Sequence, residues 1–266
     1  IKIAIVGRPN GGKSTLMNAL LGQDRVMTGP EAGITRDAIA AQYEFQGRAM
    51  RLVDTAGLRK RGRVVDPLEK MSVDDTMRAI RLAHVVILVI DATLGAEAQD
   101  MKIAHHVVEE GRVILVALNK WDVVPDRPAT RAAINDKLER SLGQLPHVPV
   151  VQISAQNGNN LDVLMRTAVQ CYDGWQKRVP TSALNRWVDG AVSRHPPALV
   201  RGRPNAIKYM TQIKVKPPTF AVWCSHPDMM TDAYTRYLVN GLREQFGFPA
   251  VPVRLTFRKT KNPFVG

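Results

Sequence analysis

The sequence predicts a doubly wound α/β domain on a mostly parallel sheet, followed by a small α+β domain. Three observations carry this. Apolar runs at Ile3–Val6, Val85–Ile90, Val113–Leu118 and Val148–Ile153 read as buried parallel strands, alternating with segments of helical character at Ala96–Glu110, Ala129–Leu142 and Leu161–Trp175. A glycine-rich stretch separates the first apolar run from the helix-like run Thr15–Leu21. Beyond Arg178-Val-Pro-Thr181 the order becomes helix, strand, strand, helix, strand. The expected domains are residues 1–176 and 177–266.

In chain order, the first strand leads into Gly7-Arg8-Pro9-Asn10-Gly11-Gly12-Lys13-Ser14-Thr15. Two glycines four residues apart, followed by Lys and Ser, fit a phosphate-binding loop. Its glycines let successive N–H groups curl around a polyphosphate, Lys13 reaches the β- and γ-phosphates, and the Ser14 hydroxyl can ligate Mg²⁺. The helix that follows aims its positive dipole end at the same anion. In Gly33-Ile-Thr35-Arg-Asp37, the Thr35 hydroxyl can complete Mg²⁺ coordination when a γ-phosphate is present, making this loop an ordering switch.

Ala38–Phe45 and Ala49–Asp54 form an expected hairpin about Gln46-Gly47. Asp54-Thr55-Ala56-Gly57 ends its second strand, with Asp54 on the water shell of Mg²⁺ and the Gly57 N–H approaching a γ-phosphate. Asn119-Lys120-Trp121-Asp122 follows another buried strand. A carboxylate at Asp122 accepts from guanine N1–H and the 2-amino group, donors that adenine lacks, so adenine leaves a buried acceptor unpaired. Ser154-Ala155, with Gln156 after it, closes the next strand and offers a backbone N–H to guanine O6. GTP is the expected nucleotide, with Lys13, Thr35 and Gly57 as catalytic candidates. Leu58 stands where many GTPases place a water-orienting glutamine, so transition-state charge must be stabilised otherwise, by an arginine or a monovalent cation. The run Arg59-Lys-Arg61-x-Arg63 is either a partner surface or a solvated switch loop.

The second region contains a helix at Ser182–Ser193, strands at Ile207–Lys216 and Thr219–Cys224, a helix at Met230–Phe246 and a strand at Val251–Arg258. Tyr234, Leu238, Leu242 and Phe246 recur at helical steps, and Gly247 suits the C-terminal cap. Strand alternation places Ile207, Tyr209, Ile213 and Val215 toward the helices and Lys208, Lys214 and Lys216 outward. Likewise Val251, Val253, Leu255 and Phe257 point in, Arg254 and Arg258 out.

At 266 residues and 45% apolar content, the chain can bury one large core or two modest ones. Residues 176–266 hold fifteen Lys/Arg against four Asp/Glu; residues 1–175 hold twenty-two against twenty. Most of the formal net charge of +13 therefore lies in the last third, which suggests an anionic partner, RNA first. Cys171 and Cys224 lack metal-ligand spacing and are expected as reduced, buried thiols of a cytoplasmic protein. The six-residue run Val85–Ile90 is too short to cross a bilayer, and neither a secretory segment nor a lipidation motif points to a membrane. Ile1 already sits within a strand without a Met before it, so the natural protein is expected to extend upstream.

Together these motifs resemble the Der (EngA) family of bacterial GTPases. Gly-Arg-Pro-Asn opening the loop, Gly-Ile-Thr-Arg-Asp in the switch and Leu58 after Asp-Thr-Ala-Gly carry the likeness. Lys208-Tyr-Met-Thr-Gln, Val215-Lys-Pro-Pro-Thr-Phe220 and Arg243-Glu-Gln-Phe-Gly-Phe-Pro249 are similar to that family's KH-like domain. The resemblance implies a second GTPase domain plus the KH-like domain, with an upstream GTPase domain absent, and a role in assembly of the large ribosomal subunit through rRNA. It also implies that Asn10 places a potassium ion near the phosphates, replacing a catalytic arginine. One departure is Gly11, where the family has a small aliphatic residue. Another is the absence of GxxG, the RNA-clamping loop of KH domains, from residues 176–266. RNA contact is then expected from the basic sheet face or through the GTPase domain. The expected function is a GTP-hydrolysing switch; the alternative is a nucleotide-responsive RNA adaptor with negligible hydrolysis.

Overall fold

The computed structural model describes residues 1–22, 41–53, 73–143, 145, 147–248 and 251–259. It divides into two compact units, Ile1–Tyr172 and Asp173–Gly266.

The first unit is a six-stranded, mostly parallel sheet in the order β2-β3-β1-β4-β5-β6. Its strands are β1 (Lys2–Val6), β2 (Ala41–Phe45), β3 (Arg48–Leu52), β4 (Val85–Asp91), β5 (Val113–Asn119) and β6 (Val150–Gln152). Every residue of β4 and β5 is buried, as a strand covered by helices on both faces requires. The covering helices are α1 (Lys13–Leu21), α2 (Val73–Leu82), α3 (Ala98–Glu109), α4 (Arg127–Ser141) and α5 (Leu161–Trp175). Only β2 runs antiparallel, paired with β3 through the two-residue turn Gln46-Gly47. Positive φ at both turn residues, 51° and 74°, gives the twist that a tight hairpin needs. This topology gathers the carboxyl ends of β1, β4, β5 and β6 along one edge, where doubly wound sheets bind ligands.

The second unit packs α6 (Thr181–Arg194) and α7 (Asp232–Phe246) with a three-stranded sheet of β7 (Ile207–Lys214), β8 (Thr219–Cys224) and β9 (Arg254–Lys259). β7 pairs antiparallel and β9 parallel with the central β8. Helix α7 is bounded as its sequence suggests. The Thr231 hydroxyl accepts from the Tyr234 N–H at 3.2 Å, and left-handed Gly247 closes the other end. Tyr234, Leu238 and Leu242 form its buried stripe.

Strand β7 departs from simple alternation. Tyr209 and Ile213, expected inside, are 40% and 43% exposed, whereas Met210 and Gln212 are buried at 0% and 3%. Register shifts between Ile207 and Tyr209, and between Gln212 and Lys214, reset the pattern. A polar side chain holds the inner position because its amide is fully used. Gln212 Oε1 accepts from the Val179 N–H at 2.8 Å, and Nε2 donates to the Lys177 carbonyl at 3.1 Å. Gln212 thereby replaces strand partners for the segment entering α6. Lys208, Lys214 and Lys216 are exposed, as are Arg254 and Arg258 on β9.

Gln212→Leu leaves a buried N–H and a carbonyl unpaired, so urea denaturation should show a loss of about 2 kcal/mol. Unchanged stability would mean that water replaces both bonds.

Candidate functional site

The loop between β1 and α1 is shaped by positive φ at Gly7 (145°), Asn10 (62°) and Gly12 (92°). Two of these positions admit nothing but glycine. A Cβ on Gly7 would stand 2.4 Å from the Val89 carbonyl oxygen, and one on Gly12 2.1 Å from Asn119 Nδ2. Gly12 caps α1, whose first turn, including Ser14 and Thr15, carries no acidic residue of its own. Lys13 Nζ donates to the Arg8 carbonyl at 2.7 Å, which folds the ammonium back over the loop. Pro9 and Asn10 are exposed; Gly11 is buried without left-handed backbone.

At the end of β5, buried Asn119 ties three segments together. Its Nδ2 donates to the Gly11 carbonyl at 3.0 Å, and its Oδ1 accepts from the Ala155 N–H at 2.9 Å. The sequence-predicted loop, the Asn119–Asp122 stretch and Ser154-Ala155 thus converge. Lys120 adopts a left-handed conformation and reaches Asp91 Oδ2 at 2.6 Å. Asp122 lies in the turn Trp121–Val123, where its Oδ2 accepts from Asn157 Nδ2 at 3.2 Å. Asn157 also donates its N–H to Ser154 Oγ at 3.3 Å, while Gln156 is exposed.

Asp91 and Asn157 escaped the sequence reading. Asp91 carried a readable signal, a carboxylate closing an apolar strand. Thr93 donates both its N–H (3.0 Å) and its hydroxyl (2.6 Å) to Asp91 Oδ1. Burial alone would raise the Asp91 pKa, but the bonds from Lys120 and Thr93 outweigh it and hold the carboxyl below its ordinary value. Asn157 orients Asp122 from the β6 loop, a role that no spacing rule predicts.

Arg8, a sequence candidate for ligand binding, has its guanidinium committed elsewhere. It meets Glu97 at 2.6 Å, Asp100 at 3.0 Å and the Gly95 carbonyl at 3.0 Å. Asp100 is wholly buried at the start of α3 and also accepts from the Glu97 N–H at 2.9 Å. Burial pushes its pKa up more than that N–H and Arg8 pull it down. Its Oδ1 has no hydrogen-bond partner among the described residues. Arg8 therefore braces the loop against α3, leaving its backbone at the site. Thr35, Asp54, Thr55, Ala56 and Gly57, together with Leu58 and the basic run at 59–63, lie outside the described residues. The two cysteines are free and buried, and burial pushes the Cys171 thiol up to about 11. Among the described residues no helix is long and apolar enough to cross a membrane.

Two stretches of the chain match known protein families. Residues 2–120 match a family model described as a 50S ribosome-binding GTPase. Residues 178–258 match the C-terminal KH-domain-like model of EngA bacterial GTPase enzymes. GTPase Der from Brucella melitensis is 51% identical over 266 residues, covering 100% of this chain and 55% of the relative. GTPase Der from Parvibaculum lavamentivorans is 52% identical over 264 residues, covering 99% and 56%. The chain thus spans about half the length of the curated relatives it matches. Among solved structures, Era from Aquifex aeolicus has a TM-score of 0.47 and 22% identity, covering 97% of this chain and 92% of that one.

Two stability predictions follow from the loop. A Cβ on Gly11 would meet the Arg8 and Val89 carbonyl oxygens at 3.4 and 3.5 Å, ordinary contact distances. Gly11→Ala should therefore stabilise by about 0.4–1 kcal/mol, read as a higher Tm. Arg8→Met should cost about 3 kcal/mol at neutral pH by leaving buried Asp100 without its cation. The folded pKa of Asp100 already lies above 3.8 and rises further without Arg8. Its ionisation then opposes folding increasingly as pH rises, so the deficit should shrink at acid pH, where the carboxyl is protonated in both proteins. Denaturant melts at both pH values check the sign.

Proposed function

The chain belongs to the Der (EngA) family of GTPases, and we propose that it binds GTP and hydrolyses it to GDP and phosphate as a switch that docks on ribosomal RNA. The observation that carries this reading is the Asn119 bridge, which joins the phosphate loop to the Ala155 N–H and sets both beside Lys120 and Asp122. One ligand with a polyphosphate at one end and a guanine at the other satisfies that arrangement. In this reading residues 1–176 form the GTPase domain and 177–266 the KH-like domain, acting in the cytoplasm.

Lys13 leaves the Arg8 carbonyl for the β- and γ-phosphates, while N–H groups of the loop and of the first turn of α1 hold phosphate oxygens. Asp122 accepts from guanine N1–H and the 2-amino group, with Asn157 fixing its carboxylate; the Ala155 N–H meets O6. Lys120, held by Asp91, lines the nucleoside side. Water adds to the γ-phosphorus as the bond to the bridging oxygen breaks, leaving GDP and phosphate. A hard cation takes oxygen ligands, and the Ser14 hydroxyl beside a glycine cradle fits Mg²⁺, with Thr35 and Asp54 as the further expected ligands. Mg²⁺ there neutralises phosphate charge. The exposed, left-handed Asn10 supplies a side-chain oxygen suited to K⁺, in keeping with Leu58 where glutamine is common. The +11 charge of residues 176–266 suits contact with rRNA, the large ribosomal subunit being the partner.

Calorimetry and phosphate-release assays with magnesium test this. Asp122→Ala should weaken GTP by about 10²–10⁴-fold, two charge-assisted bonds being lost. Lys13→Ala should abolish turnover, and the unaltered chain should turn over faster in KCl than in NaCl. Equal rates in both salts would remove the cation role of Asn10. Binding without turnover in either salt, even with ribosomal subunits present, would favour the adaptor reading.

A further inference from the structure

The second unit carries an array that the nucleotide site does not use. On the sheet face opposite buried Met210, Phe220 and Val222, the strand register aligns three rows: Lys214–Thr219–Arg254, Thr211–Ala221–Thr256 and Tyr209–Trp223–Arg258. In the last row Tyr209 and Trp223 stack with centroids 4.4 Å apart and planes 12° from parallel. The Arg258 guanidinium carbon lies 5.4 Å from the Trp223 ring centroid. Rings so close and parallel on adjacent strands stand upright from the sheet, like books on a shelf. One Trp223 face is covered by Tyr209 and the other by Arg258. The other face of Tyr209 looks away from Trp223 on the edge strand β7, beside α6, and the side chain is 40% exposed.

The strands that carry this ladder hold charge of one sign. Strands β7, β8 and β9 hold Lys208, Lys214, Arg254, Arg258 and Lys259 and no acidic residue. All five cationic residues are exposed. A ladder that served only to stiffen the sheet would be worth about 0.5–1.5 kcal/mol wherever it stood. It would not need a face free of carboxylates. Upright aromatics flanked by cations instead match the needs of a strand with unpaired bases: a base stacks on a ring while the phosphates meet lysine and arginine. A duplex hides its base faces and gains nothing from Tyr209. A negatively charged protein surface would use the cations but not the exposed ring.

We propose that this sheet face is a stacking platform for single-stranded RNA, in which an unpaired base extends the Tyr209–Trp223–Arg258 ladder at Tyr209 and the backbone runs past Lys208 and Lys214. This rests on the RNA contact proposed above and says how it is made without a GxxG loop. Specificity for particular bases is not built in, because every base has a π-face; purines, with larger rings, bind more tightly than pyrimidines.

Fluorescence anisotropy of the full chain with short labelled oligoadenylate, oligouridylate and a blunt-ended RNA duplex tests the platform. Tyr209→Ala should weaken oligoadenylate by about 5–150-fold with the salt slope unchanged, since a base contact and no phosphate contact is lost. Tyr209→Phe, which keeps the ring, should bind like the unaltered chain. Lys214→Gln should flatten the slope of log K against log salt by roughly 0.7, one phosphate contact being lost. Duplex binding should be indifferent to Tyr209. Photocrosslinking of a 5-iodouridine oligomer to the unaltered protein should label Tyr209 or Trp223, an arm that survives any folding defect of the variants. Equal affinity of Tyr209→Ala and the unaltered chain, with unchanged thermal melts, overturns the platform while leaving RNA contact intact. So do crosslinks confined to residues outside β7–β9. No RNA binding by the unaltered chain overturns both readings together.

Discussion

The candidate site depends on one buried side chain. Asn119 ends the buried strand β5 with its amide turned across the sheet edge, one end on the Gly11 carbonyl and the other on the Ala155 N–H. Both bonds are sheltered from water, so leaving either unmade would carry the full desolvation cost of a buried polar group. The phosphate loop and the β6 loop can therefore not drift apart independently. The same amide explains why Gly12 has no side chain: it occupies the space where a Cβ would sit. A loop glycine often taken as a sign of flexibility is here a consequence of close packing.

Around this bridge, two carboxylates are used in opposite electrostatic regimes. Asp91 receives three hydrogen bonds, from Lys120 and Thr93, and stays ionised despite its burial. Its contribution to stability is present above pH 3.8 and is lost as pH falls through its lower folded value. Asp100 is buried more deeply, and its two partners share one oxygen, Oδ2. Desolvation wins there, and the pKa rises. The first holds Lys120 in place at any ordinary pH. The second anchors Arg8 and so braces the phosphate loop against α3, at an energetic cost that the arginine offsets only in part.

Much of the architecture was legible because it rests on local chemistry. Unbroken apolar runs gave β4 and β5, Gln46-Gly47 gave a hairpin through its tolerance of positive φ, and Gly247 marked the end of α7. Where the reading failed, tertiary contacts had overridden pattern. Alternation along β7 placed Tyr209 and Ile213 toward the core. Gln212 instead satisfies backbone groups of a segment more than thirty residues earlier, a partnership that period-two counting cannot see. Arg8 lies within a motif whose pattern leads one to expect phosphate contact, and its side chain is expected there with its neighbours. Its partners Glu97 and Asp100 come from another helix and can be found only in three dimensions.

The basic character of residues 176–266 also gains direction from the fold. The four acidic residues there are Asp189 in α6, Asp228 in the turn Pro227–Met229, and Asp232 and Glu244 in α7. None lies on a strand. The sheet is thus wholly cationic while every carboxylate sits on helical segments, and the domain presents a charge gradient rather than a uniform positive shell. A polyanion within about 8–10 Å, the reach of an unscreened charge at physiological salt, feels that gradient and is turned toward the sheet before contact. Composition alone supplies attraction without orientation. The contrast between cationic strands and nearly neutral helices supplies orientation, and the aromatic ladder then offers a base somewhere to land.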